Sequence, residues 1–424
     1  MRLYSTLTRR IEELPPPPGP IRMYFCGPTV YQRAHIGNAR PFVLGMWLRT
    51  WLRERGYEAT LVHNITDVND RIYEAAPNAS ADLAARATQW YVDDTADLGL
   101  GMPDLMPKAT ESIPQIIRFI EELIERDVAY AVEGDVYFRV ATDPAYGRLS
   151  GQRPDQVEEQ EPNPRKEDPR DFALWKANKP GEDTWWDSPW GRGRPGWHIE
   201  CSAMAEDAFG PVFEIHGGGL DLVFPHHENE LAQSSALGHE FARIWTHNGM
   251  LAFAGEKMSK SLGNDVSLRN VLDTWGREVA LLFFMSAHWR KPIDFTDGTL
   301  AQAKAQWTAF LNAMLLQDST AVAVEEWDRL VAILDDDFNT PEALSLMHEW
   351  RRRGLHAELG RALGLFGLVT RRDQPPEEIV ALAEQRQAAR AAKDFGEADR
   401  LRDELAAAGW EARDESGGYR LVRL

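Results

Sequence analysis

Four residues of this chain have the side chains and, for one pair, the spacing of metal ligands. Cys26 and Cys201 are its two cysteines, and His226 and Glu230 are four residues apart, so on a helix they would share one face. Two thiolates, an imidazole and a carboxylate form a reasonable tetrahedral zinc set. Spacing alone does not bring the three segments together, and each cysteine could instead be a small buried side chain.

A second group of residues has the order of a nucleotide-binding site. The interval 21–31 predicts a buried strand and 40–56 predicts a helix, with His35, Gly37 and Asn38 between them. A strand, a glycine-containing turn and a helix begin many α/β nucleotide sites, because the helix N-terminus offers free N–H groups to phosphate. An ordinary turn that contains a histidine is the alternative.

Two lysines form a third group. Lys257 and Lys260 belong to the segment Lys-Met-Ser-Lys-Ser, which glycines flank on both sides. Such a segment predicts a loop that could carry cations to a phosphate, or simply a solvated surface loop. The His35 segment and this segment together, however, resemble the two signature motifs of class I aminoacyl-tRNA synthetases.

Three longer segments resemble the cysteinyl-tRNA synthetase family. They are Phe-Cys-Gly-Pro-Thr-Val-Tyr at 25–31, Trp-His-Ile-Glu-Cys-Ser-Ala-Met at 197–204 and Phe-Pro-His-His-Glu-Asn-Glu at 224–230. The resemblance covers nearly the whole chain and is strongest at 21–70, 166–290 and 384–414. It implies one Zn²⁺ per chain, held by four residues: Cys26, Cys201, His226 and Glu230. A purely structural zinc is the alternative to one that contacts substrate.

The resemblance also implies a substrate. Zinc binds a thiolate better than a hydroxyl, so an ion in the amino-acid pocket would select L-cysteine and reject serine. The cysteine-binding residues implied are Gly27, Thr66, Trp197, His216 and Asp221. ATP with Mg²⁺ would bind at His35, Gly37, Asn38 and Lys260, with His35, Lys257 and Lys260 as the catalytic residues. Asn38 replaces the histidine that is usual in the family's motif, which weakens the role of that position.

The C-terminal block resembles the family's anticodon-binding module. Its base-reading positions fall on Arg390, Phe395, Asp399 and Asp414. An aromatic ring beside hydrogen-bonding groups suits a splayed-out single-stranded base, although helix packing for Phe395 and solvation for the others would also explain these residues. The interval between Glu342 and Leu368 is shorter than the family pattern, which leaves contacts to the tRNA body open.

These elements predict an α/β protein: a Rossmann-like parallel-sheet catalytic domain with an inserted connective region, then an α-helical bundle and a small C-terminal anticodon-binding module. Further strands are predicted at 58–65, 136–140, 172–176 and 212–216. Gly217–Gly219 follow the last of these, where they would let the backbone approach a ligand closely, with a flexible turn as the alternative. Within the inserted region, residues 145–195 should be largely irregular, with 172–176 as their best strand. The domains expected are 1–110 with 195–294 (catalytic, including the lysine-rich loop), 111–194 (insertion), 295–370 (bundle) and 371–424 (module).

Composition and charge limit which partners and which cellular location we expect. A chain of 424 residues with a net charge of −19 is too acidic to coat nucleic acid generally, but a local basic groove could still bind RNA. The sequence has no run of 18 apolar residues and no N-terminal segment of signal-peptide type, so we expect a cytoplasmic protein that does not cross a membrane. We also expect a monomer.

The leading interpretation is therefore a cysteine–tRNA ligase that uses ATP, L-cysteine and tRNA(Cys) in two steps through cysteinyl-adenylate. Two alternatives stay open. One is an ATP-dependent ligase that joins cysteine to an aminosugar-inositol, which the short chain favours. The other is a non-catalytic tRNA-binding paralogue, against which the complete set of site residues argues.

Overall fold

The structure is a computed structural model that describes residues 1–152, 162–253, 256–257, 266–315, 321–368, 375–415 and 418–424. Its strands are β1 (Arg2–Ser5), β2 (Arg10–Glu13), β3 (Pro20–Phe25), β4 (Glu58–His63), β5 (Ala129–Val132), β6 (Asp135–Phe138), β7 (Phe172–Ala177), β8 (Gly193–Pro195), β9 (Val212–Gly219), β10 (Phe241–Asn248), β11 (Leu251–Phe253), β12 (Glu256–Lys257), β13 (Ile293–Phe295), β14 (Trp410–Glu415) and β15 (Gly418–Arg423). Its helices are α1 (Ile36–Glu54), α2 (Asp70–Ala75), α3 (Ser80–Ala96), α4 (Ile113–Glu125), α5 (Trp197–Phe209), α6 (Glu228–Ala236), α7 (Leu268–Trp275), α8 (Arg277–Met285), α9 (Asp297–Met314), α10 (Val324–Leu334), α11 (Thr340–Arg353), α12 (His356–Leu365), α13 (Glu377–Ala391) and α14 (Phe395–Ala407).

A four-stranded parallel sheet forms the centre of the fold. Its strand order is β10-β9-β3-β4, and Met23 of β3 pairs with Leu61 on one side and Ile215 on the other. Met23, Tyr24 and Phe25 are fully buried, as expected for a parallel strand that is covered on both faces. This sheet and the helices that pack on it confirm the α/β class.

Helix α1 begins earlier than the sequence predicts. It starts at Ile36 rather than near Arg40, directly after His35, whose backbone is extended. The amide of Ile36 donates to the carbonyl oxygen of Val266 at 2.9 Å. The first turn of the helix is therefore fixed by a tertiary hydrogen bond, which local sequence does not reveal.

The insertion contains a four-stranded sheet that the sequence predicts only in part. Strands β5 to β8 form an antiparallel sheet in sequential order. The buried carboxylate of Asp171 holds it together, because it accepts hydrogen bonds from the Tyr130 hydroxyl at 2.9 Å and the Val140 amide at 3.0 Å. Strands β6 and β7 correspond to the strands predicted at 136–140 and 172–176, whereas β5 and the short β8 were not predicted. The other described residues of 145–195 are irregular, as expected.

The glycine run is also placed differently. Gly217, Gly218 and Gly219 continue β9 instead of forming a turn, and they pair with Thr246, His247 and Asn248 of β10. A Cβ atom on Gly217 would lie 2.5 Å from the ring of Phe25. Glycine is needed here because the strand packs closely against its neighbour, and not because the chain turns.

Helices follow the sheet, and a small helix-and-hairpin unit ends the chain. Helices α13 and α14 pack on the β14–β15 hairpin, with Ile379, Leu405 and Trp410 in their shared core. The side chain of Asn312 on α9 bonds both the amide and the carbonyl of Arg423, at 2.7 and 3.1 Å.

None of the described helices is long and apolar enough to cross a membrane. The proposed domain boundaries stay predictions.

Candidate active site and metal centre

A cleft of about 250 Å³ opens at the carboxyl ends of the parallel strands, where open α/β sheets bind ligands. Strand β3 leads into it through Cys26, β9 through Gly219 and β10 through Asn248. Seven of the residues singled out from the sequence line it: Cys26, Gly27, His35, Gly37, Asn38, Trp197 and Asp221. Segments nearly 200 residues apart thus share one cleft.

His35 lies at the N-terminus of α1, at the mouth of this cleft. Its ring packs over Gly37, where a Cβ atom would lie 2.9 Å from two ring atoms. The amide of Asn38 donates to the carbonyl oxygen of His35 at 2.9 Å. The backbone, the imidazole and the positive end of the helix dipole therefore face the same space, which suits a phosphate or ribose.

The described residues before and after the lysine-rich segment lie close to the cleft. Lys257 is the last residue of β12, which pairs with β11 next to the cleft. After the segment, the amide of Leu268 donates to the carbonyl of Ala34 at 2.9 Å, beside His35. Lys260 and the side chain of Lys257 lie outside the described residues.

The four proposed metal ligands meet at the base of the cleft. The sulfur atoms of Cys26 and Cys201 are 3.6 Å apart, and Oε1 of Glu230 lies 3.6 Å from the Cys26 sulfur. Nε2 of His226 lies 3.1 Å from the same carboxylate oxygen. All four side chains are buried, and one ligand atom from each falls within 4.8 Å of the others.

These separations fit a tetrahedral zinc ion. Bonds of about 2.3 Å to sulfur and 2.0–2.1 Å to nitrogen or oxygen give ligand-to-ligand distances of roughly 3.8 Å between sulfurs, 3.5 Å between sulfur and oxygen and 3.3 Å between nitrogen and oxygen. The observed distances of 3.6, 3.6 and 3.1 Å need shifts of only a few tenths of an ångström. The residues present therefore fit the ion.

Burial also affects the protonation of these four groups. Burial raises the pKa of the Cys26 and Cys201 thiols and of the Glu230 carboxyl, and it lowers the pKa of the His226 imidazole. All four groups are thus biased towards their neutral forms. A divalent cation among them would favour the thiolates and the carboxylate instead.

Trp197 forms the wall beside this cluster. Its indole stacks on the ring of His226, with centroids 4.2 Å apart and planes inclined by 24°. Nδ1 of His226 lies 3.1 Å from Nδ1 of His198. These two contacts fix the imidazole plane and leave Nε2 directed at Glu230, as a metal ligand requires.

Some of the other proposed cysteine-binding residues line the cleft, and one lies buried behind its lining. Gly27 lines the cleft, and its amide donates to Oδ1 of Asn64 at 2.9 Å. A Cβ atom on Gly27 would lie 1.7 Å from the Asn64 carbonyl oxygen, so only glycine fits. Asp221 also lines the cleft, whereas Thr66 is buried behind it, where its hydroxyl accepts a weak bond from Asn64 at 3.4 Å.

His216 lies nearer to the metal cluster than the sequence suggests. Its Nε2 is 3.1 Å from Glu230 and 3.8 Å from the Cys26 sulfur. His227 was not singled out, yet it joins Cys26, His216 and Glu230 in a second group of possible ligands. Nδ1 of His227 is 2.7 Å from His247. The His226–His227 pair was the only sequence signal for this second group.

The residues proposed to read the anticodon lie on the C-terminal unit. Arg390 forms an ion pair of 2.6 Å with Asp414. Phe395 begins α14 with 65% of its surface exposed. Asp399 lies one turn further along α14, where it pairs with Arg402 at 2.7 Å. The structure thus brings Arg390 and Asp414 together and leaves an aromatic ring open to solvent.

Known proteins resemble this chain over its whole length. Residues 15–305 match the family of tRNA synthetases class I (C) catalytic domains, and residues 372–420 match the cysteinyl-tRNA ligase anticodon binding domain. A cysteine–tRNA ligase of Symbiobacterium thermophilum is 43% identical, with 100% of this chain and 99% of that protein covered. The cysteine–tRNA ligase of Caldicellulosiruptor saccharolyticus is 41% identical, with both chains fully covered.

Solved structures share the fold at much lower identity. A putative arginyl-tRNA synthetase from Campylobacter jejuni has a TM-score of 0.59 at 13% identity and covers 85% of this chain and 95% of its own. A methionyl-tRNA synthetase from Mycobacterium tuberculosis has a TM-score of 0.59 at 12% identity, covering 82% and 89%. With the full-length matches above, the chain belongs to the cysteine–tRNA ligase family of class I tRNA synthetases.

Proposed function

We propose that this protein charges tRNA(Cys) with L-cysteine in two steps. Cysteine and ATP first give cysteinyl-adenylate and pyrophosphate, and cysteine then passes to the 3′-terminal adenosine of the tRNA. The observation that carries the proposal is the cluster of two cysteines, a histidine and a glutamate at the base of a cleft that opens beside the N-terminus of α1. The curated relatives that match along nearly the full length of this chain are cysteine–tRNA ligases.

A zinc ion in this cluster would be held by Cys26, Cys201, His226 and Glu230. When bound, it would supply a Lewis acid that prefers sulfur to a hydroxyl oxygen. Apolar contacts distinguish side chains of similar size by only about 1–3 kcal/mol, so the cluster would provide the larger part of the discrimination against serine. Trp197 covers the ring of His226 and would keep water from this part of the pocket.

The other cleft residues would hold the rest of the substrates. Asp221, at the end of the sheet, provides a carboxylate for the amino group of cysteine, and Gly27 allows its backbone to approach closely. Thr66 and His216, which lie behind these residues, would fix the shape of the pocket. The amino acid would then be held with its carboxylate towards His35 and α1.

Activation requires alignment and charge neutralisation, and no protein nucleophile. The carboxylate of cysteine attacks the α-phosphorus, and pyrophosphate leaves. His35, the backbone at Gly37 and Asn38, and the N-terminus of α1 would bind ribose and phosphate. Lys257 and Lys260, with Mg²⁺, would neutralise the charge that develops on the departing pyrophosphate.

The C-terminal unit would select the tRNA. Arg390 and Asp414 offer hydrogen bonds to base edges, Phe395 offers a stacking face, and Asp399 lies beside it. A matched anticodon-binding module favours this function over the aminosugar ligase, which has no anticodon to read. The complete ligand cluster argues against a non-catalytic paralogue. We further propose that the chain works as a cytoplasmic monomer.

Exchange of labelled pyrophosphate into ATP tests the first step. The protein with zinc and Mg²⁺ should catalyse exchange with cysteine and at least about a thousandfold less with serine, beyond what apolar contacts give. Exchange that is equal with both amino acids would contradict thiol selection by the cluster. Exchange with neither would contradict cysteine activation.

A further inference from the structure

Arg33 is a charged residue of the cleft that the sequence analysis did not single out. It lies two residues before His35, in the loop that leads from β3 into α1, and its side chain lines the cleft. Among the described lining residues, the lysine, arginine and carboxylate side chains are those of Arg33, Arg71 and Asp221. Arg33 is therefore one of two guanidinium groups in a space where α1 already offers its N-terminus to an anion.

The carboxylate of Asp94 on α3 holds this guanidinium. Both of its oxygens accept hydrogen bonds from Nη1 of Arg33, at 2.8 and 3.0 Å. The Asp94 side chain is 1% exposed, whereas that of Arg33 is 39% exposed. The ring centroid of Trp90, also on α3, lies 5.3 Å from the guanidinium carbon. These bonds use Nη1, and the N–H donors on Nη2 and Nε remain for a ligand with paired oxygens, such as a phosphate.

A second arginine, Arg269 on α7, meets the same carboxylate. Its Nη1 lies 3.6 Å from Asp94 and 2.5 Å from Asp97, and its Nη2 lies 2.7 Å from Asp273. Asp94 thus joins α3 both to the loop before α1 and to the first turn of α7. A buried carboxylate that two guanidinium groups meet costs much less than an unpaired one.

Backbone hydrogen bonds fix that loop at the same place. The amide of Ile36 donates to the carbonyl oxygen of Val266, and the amide of Leu268 donates to the carbonyl oxygen of Ala34, both at 2.9 Å. The loop is therefore held by α3 through side chains and by the start of α7 through the backbone. Arg33 is a cation that is already in position, and such a group loses little side-chain entropy when a ligand binds.

We propose that Arg33 is a further ATP-binding residue of this cleft, with its guanidinium bonding phosphate oxygens and with Asp94 keeping it in position. The inference rests on the proposed function and deepens it. Cysteine would lie at the metal cluster, whereas Arg33 adjoins His35 and the N-terminus of α1, where phosphate would bind. Asp94 is buried and does not line the cleft, so it acts through Arg33 as a positioning residue.

Equilibrium titration with ATP and with adenosine tests the proposal, because adenosine has the same base and ribose but no phosphate. The variants are Arg33→Gln, Asp94→Asn and the two combined. Arg86→Gln and Asp93→Asn are the matched controls, since both side chains are exposed on α3 and neither lines the cleft. The controls should bind both ligands as the unchanged protein does.

We expect Arg33→Gln to bind ATP about tenfold more weakly, because a charge-assisted hydrogen bond to phosphate is lost, and to bind adenosine normally. Asp94→Asn should weaken ATP binding about threefold, since the guanidinium is still present but is no longer held. The combined variant should match Arg33→Gln, because Asp94 acts through Arg33. A role of Asp94 in stability alone would not produce this pattern.

Three results would overturn the proposal. The first is normal ATP binding by Arg33→Gln, and the second is an equal loss of ATP and adenosine binding, since Arg33 would then not recognise phosphate. The third is a combined variant that is weaker than Arg33→Gln by the full effect of Asp94→Asn, which would exclude the positioning role. If Asp94→Asn does not fold, the titrations of Arg33→Gln still decide whether Arg33 binds phosphate.

Cysteine-dependent pyrophosphate exchange in the same samples separates this inference from the proposed function. In Arg33→Gln the KM for ATP should rise and the KM for cysteine should stay unchanged. An effect confined to the KM for tRNA in the charging reaction would assign Arg33 to a tRNA phosphate and would overturn the proposal. If the unchanged protein binds ATP but shows no exchange, the proposed function fails, while the titrations still decide the role of Arg33.

Discussion

The sulfur atoms of Cys26 and Cys201 lie 3.6 Å apart although 175 residues separate them in the chain. One follows the central strand β3, and the other lies in the first turns of α5. Cys26 lies at the carboxyl end of β3 in the parallel sheet, and Cys201 reaches it from α5 within one buried cluster that also contains Tyr24 of β3 and Phe213 of β9. Glu230 approaches the Cys26 sulfur at the same distance, which completes a site with the dimensions of a zinc centre.

Replacing a ligand should remove the metal. We expect Cys26→Ser and His226→Ala to lose most bound zinc, because each removes one of four donors around the ion. Elemental analysis of the purified proteins gives the zinc content. Substitution with Co²⁺ provides a second readout, since the intensity of the sulfur-to-cobalt absorption reports the number of thiolates.

His239→Ala is the matched control, because His239 pairs with Glu206 outside the cluster. It should keep one zinc per chain. Full zinc in Cys26→Ser, or a cobalt spectrum unchanged by that substitution, would show that Cys26 is not a ligand.

Lys260→Ala should slow adenylate formation and leave the metal in place. The residue is proposed to meet charge that develops on pyrophosphate, and removal of one such group costs roughly 10²–10³ in rate. Single-turnover formation of adenylate measures the step, with zinc content determined in parallel. Lys304→Ala, on α9, is the control. A normal rate in Lys260→Ala would exclude the assigned role.

Arg390→Gln should weaken charging of tRNA without affecting activation. Loss of a charge-assisted hydrogen bond to a base costs about 1.5–3 kcal/mol, so the KM for tRNA should rise about tenfold or more. Asp414, which pairs with Arg390 at 2.6 Å, should give a similar effect as Asp414→Asn. Steady-state charging is compared with pyrophosphate exchange, and Arg86→Gln on α3 is the control. Equal loss of both activities would indicate damage to the fold.

Glu214 ties β9 to β3 and should make stability depend on pH. Although burial acts in the opposite direction, hydrogen bonds from Arg22 lower the pKa of the Glu214 carboxyl. A carboxyl whose pKa is lower in the folded state stabilises the fold above its unfolded pKa of about 4.3. That contribution is lost as the pH falls through the folded pKa.

Glu214→Gln should therefore reduce the free energy of unfolding by roughly 1–3 kcal/mol at pH 7. The difference from the unchanged protein should shrink as the pH falls below about 4. Urea unfolding at a series of pH values measures it, with the exposed Glu240→Gln as the control. A difference that grows towards acid pH would mean that folding raises the pKa of Glu214 instead of lowering it.

The fold class could be predicted from the sequence, and the site residues could be proposed from it, but several details of the architecture could not. Cys26 and His35 could be placed because a strand followed by a glycine-containing turn and a helix has few structural interpretations. Their meeting with Cys201, His226 and Glu230 came from the family resemblance, since no local pattern encodes contacts over such distances.

The errors have local physical causes. The antiparallel sheet of the insertion depends on a buried carboxylate, Asp171, that bonds Tyr130 and the Val140 amide, and isolated strand patterns do not show such bonds. Gly217 was expected after the end of the strand, close to a ligand, whereas it lies within β9 and allows Phe25 to pack there. His227 precedes α6 and was missed because its partner His247 lies on β10, 20 residues further along the chain.

Transfer of labelled cysteine to tRNA tests the proposed charging reaction most directly. The purified protein is incubated with ATP, Mg²⁺, zinc, labelled L-cysteine and unfractionated tRNA. We predict that label appears on tRNA, that it is released by mild base as an ester, and that Cys26→Ser forms almost none. Cysteine-dependent pyrophosphate exchange without any label on tRNA would contradict the proposed function, because the activated cysteine would then have another acceptor.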